Sequence, residues 1–280
     1  MDIKKIYLVY FSPGGNTEKV VKLIGTKLAG ELDAEAYAID FTSPEMRNAQ
    51  YSFDEDALVI FGMPTYAGRV PNKLLAFLQD GFKGNATKAV AVTTFGNRSF
   101  DGSLTELSLE LYKNGFDIFA AASFACQHHF SKVIGTARPD DDDVAEIEKF
   151  ALSIAHWLSK SEAKCIEHRN ILADSEVKPY YIPLGEDMQP AKFLKAVPKT
   201  VEELCDGCGV CVKACPVGSI SSDYMTITGP CIKCQACIIK CHSGAKYFDD
   251  EAFLSHVRML ETNYTKRAAN FALIEKTAEV

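Results

Sequence analysis

The sequence predicts an α/β protein, a doubly wound sheet of five parallel strands followed by a small α+β module built around cysteines. Three observations carry this expectation. Apolar runs of strand length alternate with amphipathic helical stretches through residues 1–160. Eight of the ten cysteines lie between Cys205 and Cys241. The length, 280 residues, corresponds to about two domains at roughly 150 residues each.

In chain order, the apolar runs predict strands at 3–11, 34–41, 57–63, 88–95 and 116–124, and the amphipathic stretches predict helices at 16–30, 72–78, 104–114 and 142–159. The uninterrupted Leu58-Val59-Ile60-Phe61 run suits a strand covered on both faces, which a single parallel sheet requires. Four acids, Asp140 to Asp143, follow Pro139; capping and the helix dipole explain them without a metal. From 161 to 198 the periodicity fades and prolines stand at 179, 183, 190 and 198, so this stretch reads as an arm or linker. The cysteine module then occupies 199–250. Within 251–280, Phe253, Val257 and Leu260 mark one face of a helix, and the last dozen residues read as a tail.

Composition narrows the function. Thirty Lys and Arg against 37 Asp and Glu give a net charge of −7, which opposes nucleic-acid or anionic-membrane binding as the main role. The chain is 47% hydrophobic and 24% charged, as in ordinary globular proteins. No apolar run approaches the ~18–20 residues of a membrane span, and residues 6–11 are too short for a signal peptide. The expectation is a cytoplasmic protein whose clustered thiols serve a cofactor and not a disulfide framework.

The cysteines form an internal repeat. Cys205-x2-Cys208-x2-Cys211-x3-Cys215 recurs 26 residues later as Cys231-x2-Cys234-x2-Cys237-x3-Cys241. Paired zinc sites are one reading, since C-x2-C is also a zinc spacing. A third cysteine at the same interval and a fourth after x3, both duplicated, are more specific for iron–sulfur cubes. The first run, with Pro216 after its last cysteine, resembles bacterial-type two-cluster ferredoxins; the second ends Cys241-His242 in place of Cys-Pro. That resemblance implies two [4Fe–4S] clusters with exchanged fourth ligands: Cys205, Cys208, Cys211 and Cys241 for one, Cys231, Cys234, Cys237 and Cys215 for the other. Gly207 and Gly209 would let backbone N–H groups approach the sulfurs.

The turn after the first strand, Phe11-Ser12-Pro13-Gly14-Gly15-Asn16-Thr17-Glu18, opens a helix with glycines and hydroxyls and no Lys or Arg. Such a turn makes an anion nest. It lacks both the Walker and the dinucleotide fingerprints, which disfavours ATP and NAD(P). Its spacing resembles the flavodoxin phosphate loop, Ser/Thr-x-Thr-Gly-x-Thr, with Gly14 where a hydroxyl residue is usual. The loops after the third and fourth strands reach the same crevice in a doubly wound fold. They are Pro64-Thr65-Tyr66-Ala67-Gly68-Arg69 and Thr94-Phe95-Gly96-Asn97-Arg98-Ser99-Phe100-Asp101, which supply aromatics, small residues, backbone donors and a cation. Cys126, His128 and His129 after the fifth strand read as a buried thiol and surface histidines. A flavodoxin-like fold without flavin remains a separate alternative.

Together, residues 1–160 resemble the flavodoxin family and 205–241 a two-[4Fe–4S] ferredoxin, in the order of the flavodoxin–ferredoxin fusion proteins of anaerobic bacteria and archaea. The resemblance implies FMN bound by Ser12, Gly14, Gly15, Asn16, Thr17, Pro64, Thr65, Tyr66, Ala67, Gly68, Thr94, Phe95, Gly96, Asn97, Arg98, Phe100 and Asp101, with Tyr66, Phe95 and Phe100 around the isoalloxazine. It also implies two clusters and conversion between one- and two-electron chemistry. No catalytic residue is assigned. Two outcomes stay open: a carrier serving a redox partner protein of ferredoxin or reductase type, or a reductase of a small oxidised acceptor, with the 161–198 arm as a roof. A third is an iron–sulfur module on a flavodoxin scaffold that binds no flavin. A homodimer is a further expectation, since nothing in the sequence fixes the distance from flavin to cluster within one chain.

Overall fold

The computed structural model describes residues 3–160 and 170–275. The start of the 161–198 arm, with Cys165, and the last five residues lie outside the described residues.

Five strands form the parallel part of the main sheet: β1 (Lys5–Tyr10), β2 (Glu35–Asp40), β4 (Ala57–Pro64), β6 (Thr87–Phe95) and β7 (Phe116–Ala125). They lie in the order β2-β1-β4-β6-β7, which, counted among themselves, is 2-1-3-4-5. That is the flavodoxin-like winding, whose ligand crevice lies at the carboxyl ends of the strands, where the order reverses. β4, β6 and β7 are buried along their whole length, as the apolar runs require.

The sheet separates two cores. On one face, α1 (Asn16–Leu32) and α4 (Asp141–Ser159) bury Val20, Ile24, Leu28, Phe150, Ile154 and Trp157 against Ile6, Leu8, Leu58 and Ile60. On the other, α2 (Leu75–Asp80) and α3 (Ser103–Lys113) bury Leu78, Leu104, Leu107 and Leu111 against Val9, Val59, Phe61 and Phe116. Alternate residues of each strand thus serve alternate cores. The acid run does what capping chemistry predicts: the Asp140 carboxylate accepts from the Asp143 N–H at 3.1 Å, and the Asp143 carboxylate accepts from the Asp140 N–H at 3.2 Å.

The sequence reading differs from the fold in two places. β3 (Tyr51–Phe53) and β5 (Phe82–Gly84) pair in a separate parallel two-stranded sheet; at three residues each they carry too little alternation to be read. Within the described residues, part of the expected tail is a strand. β10 (Phe271–Ile274) pairs antiparallel with β7, making the sheet six-stranded with one antiparallel edge. β7 offers an open edge, and Asn270 extends the pairing by accepting the Ala125 N–H at 2.8 Å.

The cysteine module contains α5 (Val210–Ala214), α6 (Ala236–Ile239) and a short antiparallel pair of β8 (Lys199–Thr200) with β9 (Lys246–Tyr247). Its repeat is visible in the backbone. Gly207, Gly209 and Gly218 have φ of 72°, 72° and 61°, and their equivalents 26 residues on, Lys233, Gln235 and Gly244, have 57°, 64° and 68°. Next, α7 (Glu251–Asn263) buries Phe253 and His256 against Phe193 of the arm, and Met259 and Leu260 against Ile134.

Candidate cofactor crevice and cysteine module

The turn after β1 is shaped by its own hydrogen bonds. Gly15, at φ 92°, precedes the helix, and the Ser12 hydroxyl accepts the Glu18 N–H at 2.9 Å. The Thr17 hydroxyl meets that of Thr94 at 2.8 Å, joining the turn to the end of β6. The first-turn N–H groups of α1 have no intrahelical acceptor and face the turn. Ser12, Gly14, Asn16, Thr17, Pro64, Thr65, Tyr66, Thr94, Phe95 and Gly96 of the predicted set line one cavity. It continues into a larger one of about 580 Å³ along Ala67, Gly68 and Arg98, within the size range of ligand pockets.

Four predicted residues line neither cavity, Gly15 at the start of α1 and three that are engaged elsewhere. The Asn97 amide donates to the carbonyls of Tyr264 and Lys266 at 2.7 and 3.0 Å, away from the crevice. Phe100 packs its ring against Phe95 and Phe271, at 5.7 and 5.5 Å between centroids. Asp101 is paired with Arg98, whose guanidinium also stacks on Tyr181 at 3.8 Å.

The structure adds residues that the sequence reading left out. His128 and His129 are half-buried and line the crevice with Gln127 and Phe130, so they are not surface histidines. Asn16 donates to the Gln127 carbonyl at 3.1 Å and holds this loop on α1. Their position at the carboxyl end of the fifth strand was the available signal, since every such end faces the crevice. Burial, followed by the neighbouring His129, His256 and Arg98, pushes the His128 imidazole down to about 3. Burial pushes the Cys126 thiol up to about 12, which leaves it inert. The arm closes the larger cavity with Tyr180, Tyr181 and Phe193, anchored by the Tyr181 N–H on the Ala67 carbonyl at 2.8 Å.

The second cysteine run forms another wall of the same crevice. Lys233 and Cys234 line the smaller cavity, and Cys231 and Ile232 the larger. Tyr66 lies between: its hydroxyl is buried without a hydrogen-bond partner, and its ionisation is opposed first by burial and then by Cys234 and Cys231. An orphaned buried hydroxyl, a cradle of small residues at Gly14, Gly68 and Gly96, and a lining without Asp or Glu fit a phosphorylated, oxygen-rich planar group such as FMN.

Cys215 of the first run lies among Cys231, Cys234 and Cys237 and interacts with all three. Burial pushes the Cys234 and Cys237 thiols up to about 12; such thiols deprotonate on binding metal. Cys211 interacts with Cys205, and Cys208 is exposed. Backbone N–H groups approach the sulfurs: Ser219 to Cys215 at 3.2 Å and Lys233 to Cys231 at 3.4 Å. Burial raises Cys241, but donors from Ser243, Lys246 and Ala245 outweigh it and hold the thiol below its ordinary value. This donor set suits thiolates bound to a cluster. His242 instead pairs with Asp206 at 2.8 Å.

Family models match the cysteine module. Residues 198–221 and 228–245 each match a family described as 4Fe-4S binding domain. No curated protein matches the chain. Among solved structures, a flavodoxin from the domain Archaea is 16% identical, covering 56% of this chain and 99% of its own, with a TM-score of 0.37. Flavodoxin 2 from Bacillus cereus is 18% identical over 55% and 99%, with a TM-score of 0.41. An NADH:FMN oxidoreductase in its apo form is 19% identical over 60% and 94%, also at 0.41. The strand order carries the fold assignment by itself. No helix among the described residues is long and apolar enough to cross a membrane. The chain therefore fuses a flavodoxin-like sheet to a pair of 4Fe-4S binding segments.

Proposed function

We propose that the protein moves electrons between two [4Fe–4S] clusters and an FMN held in the crevice, within one chain, on behalf of a cytoplasmic redox partner protein. The observation that carries this reading is the position of Tyr66, which lines the crevice together with Cys234 and whose ionisation Cys234 and Cys231 oppose. Cys231, Cys234, Cys237 and Cys215 hold the cluster beside the flavin; Cys205, Cys208, Cys211 and Cys241 hold the outer one, where exposed Cys208 faces the partner. FMN supplies the exchange between single and paired electrons. The chain's own residues bind and shield: the turn at Ser12 to Thr17 receives the phosphate, Tyr66 and Gly96 border the ring, and the arm excludes water with Tyr181 and Phe193. Arg47 donates to the Pro216 carbonyl, fastening the cysteine module to the sheet domain.

A second reading, a reductase of a small oxidised molecule, is favoured by the roofed cavity of about 580 Å³, which extends past the flavin loops to His256 and Leu260. Anaerobic purification with iron, sulfide, zinc and FMN quantification tests both readings. About eight iron, eight sulfide and one FMN per chain are expected for two four-iron clusters and a flavin; clusters without FMN would refute the flavin half, and zinc without sulfide would refute the cluster half. Flavin reduction by the clusters at a rate independent of protein concentration would exclude the need for a dimer.

A further inference from the structure

The anion nest has a hydroxyl at Ser12 and another at Thr17, but the residue that could bring a third is Gly14. An imidazole stands in its place. A Cβ built on Gly14 would lie 1.9 Å from His129 Cε1 and 2.5 Å from each ring nitrogen, so the nitrogen-bearing edge of His129 takes the volume a side chain at 14 would need. The loop that carries it is held independently. Asn16 Nδ2 donates to the Gln127 carbonyl at 3.1 Å, the Gln127 N–H donates to the Arg138 carbonyl at 3.0 Å, and the Phe130 N–H donates to His128 Nδ1 at 3.1 Å.

The cations nearby are committed elsewhere. Lys19 Nζ donates to the Pro139 carbonyl at 2.9 Å and Lys233 Nζ to the Leu194 carbonyl at 2.8 Å. Arg98 is paired with Asp101, and Arg138 with Asp143. His129 touches the nest itself, and its ring donates a hydrogen bond to the backbone of Cys234.

We propose that His129 is the phosphate-recognition residue of the flavin site, its one ring N–H turning from the Cys234 carbonyl to supply the hydrogen bond that a hydroxyl at position 14 would otherwise give. This rests on the FMN reading above. It also accounts for a glycine at position 14 although its backbone does not require one: Gly14 is not among the positive-φ residues, and a side chain there would have to displace the imidazole. Because the same N–H serves the Cys234 carbonyl when no phosphate is bound, phosphate binding is coupled to the second cysteine run.

The test uses the full chain with clusters intact and flavin removed, titrated anaerobically with FMN and with riboflavin, which lacks the phosphate, and followed by flavin fluorescence quenching. His129→Ala should lose FMN affinity by about 10- to 100-fold, the range for a hydrogen bond to a charged group, and leave riboflavin affinity unchanged. Gly14→Thr alone should also weaken FMN, because the new side chain collides with the ring. The double variant should regain at least about tenfold over His129→Ala, a coupling expected of groups in direct contact.

Unchanged or tighter FMN binding by His129→Ala would overturn the inference, since the imidazole would then only fill the nest until displaced. Equal weakening of FMN and riboflavin would overturn it too, assigning His129 to loop packing, as would a double variant that regains nothing. A wild-type protein that takes up neither flavin would refute the flavin reading itself, before any variant is made.

Discussion

Asn97 and Arg138 are joined by a 2.8 Å hydrogen bond from the guanidinium to the amide oxygen, and through it the loop after β6 holds the end of the chain. Arg138 also donates to the Ala268 carbonyl at 2.8 Å and forms a bidentate pair with buried Asp143, at 2.9 and 2.6 Å. Asn97, with only 2% of its surface exposed, donates to Tyr264 and Lys266 and accepts the Ala268 N–H at 3.1 Å. Three of the four hydrogen bonds its amide can make thus fasten residues 264–268, and the fourth goes to Arg138.

Replacing Asn97 with Ala should therefore release the C-terminal strand before it affects flavin. A loss of about 1–3 kcal/mol is expected from the partners left unsatisfied. Hydrogen exchange would locate it at residues 271–275 and at β7, with FMN affinity nearly unchanged. Weaker FMN binding at unaltered strand protection would contradict the assignment.

The cysteine sets predict a division of labour. Cys215→Ser should perturb the cluster beside the crevice, changing the flavin spectrum and slowing its reduction. Cys208→Ser should affect the outer cluster alone. Each variant that loses its cluster should retain about four of about eight iron atoms. Electron paramagnetic resonance of the reduced variants would separate the two, and identical flavin effects from both would contradict the exchanged ligand arrangement.

Tyr66→Phe removes a buried hydroxyl that has no partner in the flavin-free protein. Thermal denaturation of that form should show no loss of stability, because such an orphan costs about 1–3 kcal/mol when buried unsatisfied. FMN affinity should fall by roughly tenfold if the hydroxyl is completed by the cofactor, a change of about 1.4 kcal/mol.

Acid should act through His128. Its imidazole, pushed down to about 3 in the fold, ordinarily titrates near 6.5, so the unfolded chain binds the proton first as pH falls. The stability this group contributes is present above pH 6.5 and is lost progressively towards pH 3, at no more than about 1.4 kcal/mol per pH unit. Urea denaturation at pH 7 and pH 5 should show a smaller pH dependence for His128→Gln than for the wild type. Equal slopes would mean that the ring is solvated in solution.

Long apolar runs were legible because burial on both faces leaves no room for polar residues, and so 57–63, 88–95 and 116–124 were found close to the observed strands. The cysteine repeat was legible because the spacing is itself the chemistry. Phe271-Ala272-Leu273-Ile274 was not, since four residues after a polar stretch acquire meaning only from the free edge of β7. Neither was the role of Asn97, which sits in a loop with the composition of a ligand loop but is consumed by contacts more than 160 positions away in sequence. His128 and His129 carry no periodicity, and the docking of Gln127 on Asn16 and of the His128 N–H on the Ile134 carbonyl holds their loop at the crevice.

β10 changes the meaning of the chain's order. Because the last strand returns to the sheet that the first strand began, the cysteine module is an insertion held at both ends and not a pendant on a leash. A single proteolytic cut in the arm would leave two fragments that still co-migrate under native conditions, and the separation between the crevice and its neighbouring cluster is set by architecture, as in a hinge pinned on two sides, rather than by the statistics of a flexible tether.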